Sequence, residues 1–242
     1  MISVFNLGYQ VNGQTILDGV EMKFRQGETF VIIGPSGCGK STLLRLIMGF
    51  IQPTSGWIEI AGQNTLNMSK TGWRELRHKM GLVFQSAALF DSLTVFENIA
   101  FSLQRKGLAE REIYERVIQS LDIVGLSKDT AAKMPSDLSG GMKKRAAIAR
   151  AIADKPPILL YDEPTTGLDP IIADTINELI LDLQKNLGIT SIVVTHDIIS
   201  ALKVADRIGL LYQARLAEVR DRSEIAEAQH PLMRQFFKNY RL

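Results

Sequence analysis

Three short stretches of this chain hold residues whose types and spacing suit work on phosphate groups. Gly34, Pro35, Ser36, Gly37, Cys38, Gly39, Lys40, Ser41 and Thr42 complete the glycine-rich phosphate-loop pattern directly after the apolar run "ETFVIIG". Glycines let successive backbone N–H groups turn towards phosphate, and the helix that follows adds its N-terminal dipole. Lys40 is placed to neutralise the β- and γ-phosphates of a nucleoside triphosphate, and Ser41 to give Mg²⁺ an oxygen. Asp162 closes the apolar run "ILLYD", a position from which a carboxylate orients Mg²⁺ directly or through water. Glu163 follows at once and is the candidate for polarising the attacking water, because hydrolysis needs nucleophile and γ-phosphate held in line.

Two polar residues end similar apolar runs. Gln85 follows "MGLVF" and His196 follows "SIVVT". The Gln85 amide could reach Mg²⁺ or the lytic water, although local sequence serves a surface glutamine as well. An imidazole at His196 suits orientation rather than proton abstraction. "LSGGM" then sets Ser139, Gly140 and Gly141 before the basic helical run "KKRAAIARAI". A serine hydroxyl, backbone donors and a helix start make a second anion site. One chain with its own phosphate loop has no evident need of it.

These residues require a sheet that delivers them to one edge. The runs ending at Gly34, Asp162 and Thr195 are almost wholly apolar, as strands of a parallel sheet covered on both faces are. Further strands are expected over 3–7, 21–24, 56–60 and 80–84, the first two separated by the Asn12-Gly13 turn signal, with an antiparallel section near the nucleotide. Helices are expected over "STLLRLIMGF" and over Ile171 to Leu183. From Ala88 to Pro157 the pattern is mainly helical, including "AEREIYERVIQSLDIVG". An α/β core over 1–87 and 158–242 with a helical insertion over 88–157 places these pieces in one domain.

Composition narrows the function classes. The 242 residues carry 28 basic and 26 acidic side chains for a net charge of +2, too balanced for a chain that coats nucleic acid. No run of about 18 apolar residues and no signal-peptide pattern stands out, so any membrane role has to be borrowed from a partner. The single cysteine, Cys38, forms no internal disulfide and suits a reducing compartment. The setting of Cys38 inside the phosphate loop marks it as a spectator side chain.

In this order, "GPSGCGKST", "LSGGMKKRAAIARAI" and "ILLYDEPTTGLD" resemble the ATP-binding subunits of ABC transporters. "FQSAALFDSLTVFENIA", the signature helix and the ending "HPLMRQFF" look most like the ATPases of phospholipid transporters that work with MCE-domain proteins. The resemblance implies a P-loop NTPase core of ABC ATPase type, with an antiparallel β subdomain and an inserted helical subdomain. It implies ATP and Mg²⁺ as ligands, Ser41, Gln85 and Asp162 towards the metal, Gln85 as the Q-loop and His196 as the switch histidine near the γ-phosphate. It also resolves the redundancy: Ser139, Gly140, Gly141 and Met142 face the ATP held by a second copy of the chain, with Asp169 in the coupling loop between the two sites. Met142 stands where the family commonly has glutamine; the serine and both glycines remain, so ATPase activity is expected to persist with altered contacts around the ribose.

Tyr9 is the candidate for the aromatic that stacks on adenine, although the register before "ILDGV" also admits Val11, and core packing of Tyr9 is an alternative. Partners implied by the resemblance are a permease dimer, an MCE-domain substrate-binding protein and a small accessory subunit, with the chain peripheral on the cytoplasmic face of the inner membrane. Ala88, Leu89, Phe90, Leu93, Val95 and Phe96 are the candidate groove for the permease, unless they pack in the helical core. Lys143, Lys144 and Arg145 are expected to serve dimer electrostatics or solvation. The same site residues would serve an importer of small polar solutes or a lipoprotein-release ATPase, and the absence of the extra C-terminal domain of many regulated importers weighs against that group. A soluble ABC scaffold would lack a permease, and a regulatory cassette would lack the full set of site residues.

Overall fold

A computed structural model describes residues 2–238 and 240, so the outermost positions of the single domain expected over 1–242 lie outside the described residues. Six strands form the central sheet, in the order β10-β9-β3-β8-β7-β6. They are β3 (Thr29–Ile33), β6 (Met80–Val83), β7 (Ile158–Asp162), β8 (Thr190–Thr195), β9 (Arg207–Tyr212) and β10 (Arg215–Asp221). All pairs are parallel except β9 with β10. The side-chain alternation of a strand assigns each face its own core. Val31 and Ile33 of β3, Leu159 and Tyr161 of β7 and Val193 of β8 join one hydrophobic cluster, while Phe30, Ile32, Ile158, Leu160, Ile192 and Val194 join the other. This two-sided burial is the reason these strands read as unbroken apolar runs.

The second cluster is shared with a four-stranded antiparallel sheet, β2-β1-β4-β5, built from β1 (Ile2–Val11), β2 (Gln14–Phe24), β4 (Ser55–Ile60) and β5 (Gln63–Asn64). Asn12 and Gly13, with φ of 49° and 76°, form the β1–β2 turn in the left-handed pair of conformations that fits hairpin twist. Both strands run further than their apolar stretches, since the ladder continues through exposed positions such as Gln10 and Gln14.

Helix α1 (Lys40–Ile47) is shorter than the run "STLLRLIMGF" suggests, because Gly49 turns the chain at φ 64°. Between α1 and β6 lies α2 (Lys70–Arg77), for which the sequence reading had no helix; its mean hydropathy is low and only Trp73 and Leu76 are buried. The expected helical insertion consists of α3 (Val95–Gln104), α4 (Glu110–Ile123) and α5 (Gly140–Ile152), packed on one another through Ile99, Leu103, Val117, Leu121 and Ile148. Thr94 opens α3 with a capping box to Glu97, whose carboxyl these hydrogen bonds from Thr94 hold below the usual range.

Helix α6 (Pro170–Leu187) opens on an Asp169 cap with proline at its first position and closes on left-handed Gly188. Past β8, α7 (Ile198–Val204), β9 and β10 complete the core, and α8 (Pro231–Phe237) returns to it through buried Met233 and Phe237. No helix among the described residues is long and apolar enough to cross a membrane.

Candidate functional site

Four adjacent parallel strands carry their candidates to the same sheet edge, the carboxyl edge where ligands of open α/β sheets bind. The phosphate loop leaves β3, His196 follows β8, Asp162 and Glu163 end β7, and Gln85 lies two residues past β6. A pocket of about 330 Å³ lies there, lined by Ser36, Gly37, Gly39, Lys40, Ser41, Thr42, Gln85, Glu163 and His196, with Ile16 of β2 as the apolar wall. Gly34, Pro35 and Cys38 belong to the same loop without lining the pocket. A Cβ on Gly34 would stand 2.2 Å from the Leu211 carbonyl oxygen, so the loop needs glycine there to approach β9. Gly39, at φ 105°, leads into α1 in a conformation only glycine adopts readily, and α1 has no side-chain cap. Its first N–H groups are therefore open to an anion.

The Lys40 ammonium is buried and donates to the carbonyls of Gly34 at 2.8 Å and Pro35 at 3.1 Å. Two of its three protons are thus held by its own loop and the third remains for a ligand. Cys38 is half-buried, and burial pushes its thiol up against the opposing pull of Lys40, which disfavours a reactive thiolate. Ser41 Oγ donates to Asp162 Oδ1 at 2.7 Å. A hydroxyl and a carboxylate already in register are the hard oxygen donors Mg²⁺ takes alongside phosphate oxygens. No cluster of three or more acidic, His or Cys side chains that could hold a metal ion exists among the described residues.

Glu163 is buried and adopts a left-handed φ of 50°, a conformation that costs a non-glycine residue roughly 1–3 kcal/mol. Its N–H donates to the Val194 carbonyl at 2.9 Å, which anchors the turn to β8. Carboxylate Oε2 accepts from Thr166 Oγ1 at 3.1 Å, Thr195 Oγ1 at 3.2 Å and the His196 N–H at 3.3 Å. His196 Nδ1 lies 2.9 Å from the same oxygen. Oε1 faces Lys40 Nζ at 3.9 Å and is the less encumbered of the two. Thr165 and Asp197 tie the segments after β7 and β8 together at 3.2 Å, and Ser200 joins both.

Other candidates lie elsewhere. Ser139 accepts the Met142 N–H at 3.3 Å and caps α5. Ser139 and Gly140 are exposed, and Ser139, Gly140, Gly141 and Met142 do not line the pocket of their own chain. A Cβ on Gly141 would stand 2.6 Å from Ile172 Cγ2, so this glycine lets α5 and α6 close on each other. Tyr9 is half-buried opposite Leu17, packed on the antiparallel-sheet core, and Val11 is exposed; neither lines the pocket. Val95 is wholly buried, and Leu89 and Phe96 pack against the helical core, so of the apolar stretch after Gln85 only Phe90 is a large side chain left exposed. Phe90 lies 5.0 Å from exposed Phe101.

Lys144 is expected, with Lys143 and Arg145, to serve dimer electrostatics or solvation, and for Lys144 the structure corrects this. Lys144 is buried and donates to the carbonyls of Phe84 at 3.2 Å and Gln85 at 2.7 Å; burial pushes its ammonium down to about 8. Its spacing held the signal, for it lies three residues after Gly141 and four before Ile148, both buried on α5. Ile16 is an ordinary strand residue without a motif, while Thr166 and Thr195 lie inside the runs "ILLYDEPTTGLD" and "SIVVT" but carry no role that the sequence alone assigns.

Comparison with known proteins gives this geometry its family. Residues 17–166 match the sequence profile described as ABC transporter. The chain is 40% identical to the methionine import ATP-binding protein MetN of Geobacillus kaustophilus over 93% of this chain and 66% of that one, just short of two thirds of its length. It is 39% identical to the intermembrane phospholipid transport system ATP-binding protein MlaF of Haemophilus influenzae, over 98% of this chain and 90% of that one. Identity to the spermidine/putrescine import ATP-binding protein PotA of Thermotoga maritima is 40%, over 94% of this chain and 60% of that one. Among solved structures, the ATP-binding cassette MJ0796, in a dimeric post-hydrolysis state bound to ADP and Pi, superposes with a TM-score of 0.83 at 34% identity, over 91% of this chain and 98% of that one. Family membership implies Mg²⁺-dependent binding and hydrolysis of ATP, and self-association is the arrangement of the related cassette. The chain belongs to the ABC transporter ATP-binding family.

Proposed function

We propose that two copies of this chain sandwich two ATP molecules and, by closing and reopening, drive a membrane permease. The observation that carries the reading is the convergence of the ends of β3, β6, β7 and β8 on one pocket, with the Ser139 signature outside it. The phosphate loop and α1 cradle the phosphates, and Lys40 gives its free proton to them. Ser41 and Asp162 hold the cation, with Gln85 as a further ligand; bound there, Mg²⁺ would offset charge on the β- and γ-oxygens. Glu163 orients the attacking water through Oε1, while His196 and Thr195 fix its other oxygen. Adenine lies over the hairpin of β1 and β2, against Ile16.

The signature supports a second copy as its partner. The start of α5 packs on the start of α6: Leu168 Cδ2 is 3.6 Å from the Cβ position of Gly140. Beside it Asp169 is exposed and Ile171 is 79% exposed, an apolar group on the face that a second copy would cover. ATP favours the closed pair only as far as it binds that state more tightly, and product release reopens it. The division into a core of 1–87 and 158–242 and a helical subdomain of 88–157 is the lever of this motion.

Phe90 and Phe101 offer the permease an exposed aromatic pair next to a groove lined by Trp73, Arg74, Arg77 and Arg105. Small-solute import is the cargo reading favoured by the methionine and spermidine/putrescine relatives. Phospholipid transport with an MCE-domain protein and a small accessory subunit, from the inner-membrane face, is the second reading; it rests on "FQSAALFDSLTVFENIA", on "PSDLSGGMKKRAAIARAI", on the ending "HPLMRQFF" and on the likeness to MlaF. Affinity purification from gently solubilised membranes decides between them. A solute permease supports the first and a permease with an MCE-domain protein the second, whereas soluble partners alone overturn both.

A further inference from the structure

The loop that carries Gln85 is fastened to the signature helix rather than to the sheet it leaves. Lys144 of α5 holds the carbonyls of Phe84 and Gln85, at 3.2 and 2.7 Å. Six residues on, about 9 Å along the helix, Arg150 donates to the carbonyls of Ala88 at 2.6 Å and Ala87 at 3.0 Å. The four acceptors thus belong to one five-residue segment. Within it Ala87 and Ala88 have φ of 63° and 47°, two consecutive left-handed residues that both carry a Cβ. Such a turn persists only where its surroundings hold it, and the Arg150 guanidinium grips these two carbonyls. The next stretch is secured from α3: Asn98, wholly buried, donates to the carbonyls of Phe90, Leu93 and Thr94 and accepts the Phe90 N–H.

A buried ammonium satisfied by backbone carbonyls rather than by a carboxylate is unfavourable for stability. A methionine of similar length would fill the same space. The cost therefore points to a task for the charge, and the contacts show where it acts: they tie the Gln85 backbone to α5.

We propose that Lys144 and Arg150 are positioning residues that bolt the Gln85 loop to the helix carrying Ser139, so that loop and signature move as one body against the sheet carrying Lys40 and Glu163. This deepens the ATPase reading above and rests on it. Closure that brings Ser139 to the partner's phosphate would, in the same movement, adjust Gln85 within the pocket it already lines. One displacement then completes both sites, and Phe90, at the end of the same loop, moves with them.

The test is steady-state ATP hydrolysis by the intact chain and by Lys144→Met and Lys144→Arg variants, with ATP and Mg²⁺ titrated separately. The wild type and Lys40→Ala establish the ATPase reading on their own: hydrolysis by the first and none by the second. Given that, Lys144→Met is expected to lower kcat about tenfold with KM for ATP within about twofold, the mark of a group misplaced for turnover rather than binding. Its half-saturating Mg²⁺ concentration should rise about threefold or more. Lys144→Arg, which keeps the donors, should restore kcat to within about threefold of wild type. Wild-type kcat and Mg²⁺ dependence in Lys144→Met would overturn the inference. So would a Lys144→Arg chain that is folded, by thermal unfolding, yet as slow as Lys144→Met.

Discussion

Helices α1 and α5 both start where a glycine-rich segment meets a lysine-bearing turn, yet their starts face opposite circumstances. Helix α1 has no side-chain cap and opens into a pocket already furnished with Lys40, Ser41, Glu163 and His196. Helix α5 is capped by Ser139, is exposed at its first residues and has no such furniture around it. The uncapped start is poised for a phosphate in its own chain; the capped start can wait in water at little cost, because Ser139 satisfies one of its donors. On the proposed reading, a site built from one start of each kind draws on two chains.

The largest effect should come from the furnished end. Glu163→Gln is expected to lower hydrolysis about 100- to 1000-fold while ATP binding, followed by equilibrium dialysis, persists. Turnover near wild type would remove Glu163 from the chemistry. The packing behind the capped end is the next target. Gly141→Ala drives a Cβ to 2.6 Å from Ile172 Cγ2 and should cost about 1–3 kcal/mol in a denaturation curve. Gly140→Ala, with its nearest contact at 3.6 Å, should cost less, and equal losses would contradict the close approach of α5 and α6.

Ser139→Ala separates the two starts functionally. Losing the cap costs the helix about 1 kcal/mol, and turnover should fall about tenfold with ATP affinity of the single chain unchanged. A weakened affinity would place Ser139 in its own chain's pocket. The smallest effect on the isolated protein is expected from Phe90→Ser, with ATPase activity within about twofold but reduced recovery of a membrane partner. Loss of folding would return Phe90 to the core.

The furnished end was the more legible in the sequence. Its residues end apolar strands, so local pattern and chemistry agree: Gly34 to Thr42, Asp162, Glu163, Gln85 and His196 all reach one sheet edge. The α/β core and the helical insertion followed from the same patterns. Strand β10 and helix α2 did not, because tertiary packing supports them more than propensity does; β9, "RIGLLY", carries the same apolar pattern as β3, β7 and β8 but ends on none of the chemically marked residues. Lys144 was hidden for a related reason. A basic run reads as solvated surface, and only the three-dimensional path of the 84–88 segment turns one of its members inward. Tyr9 shows the converse, for an aromatic in the right register packs on the core beside the pocket that Ile16 lines. The apolar stretch after Gln85 leaves a docking groove and core packing both open in the sequence; Val95, Leu89 and Phe96 pack inward, and the exposed aromatic face is Phe90 with Phe101.

The composite ATP site is tested most directly by the hydrodynamic size of Glu163→Gln in the presence of Mg²⁺ and ATP, measured with and without a second change, Ser139→Arg. Two copies closing on shared nucleotide predict a dimer for Glu163→Gln and a monomer for the double variant, each still binding ATP. A double variant that dimerises as well as the single one, or a single variant that stays monomeric with ATP bound, would contradict it.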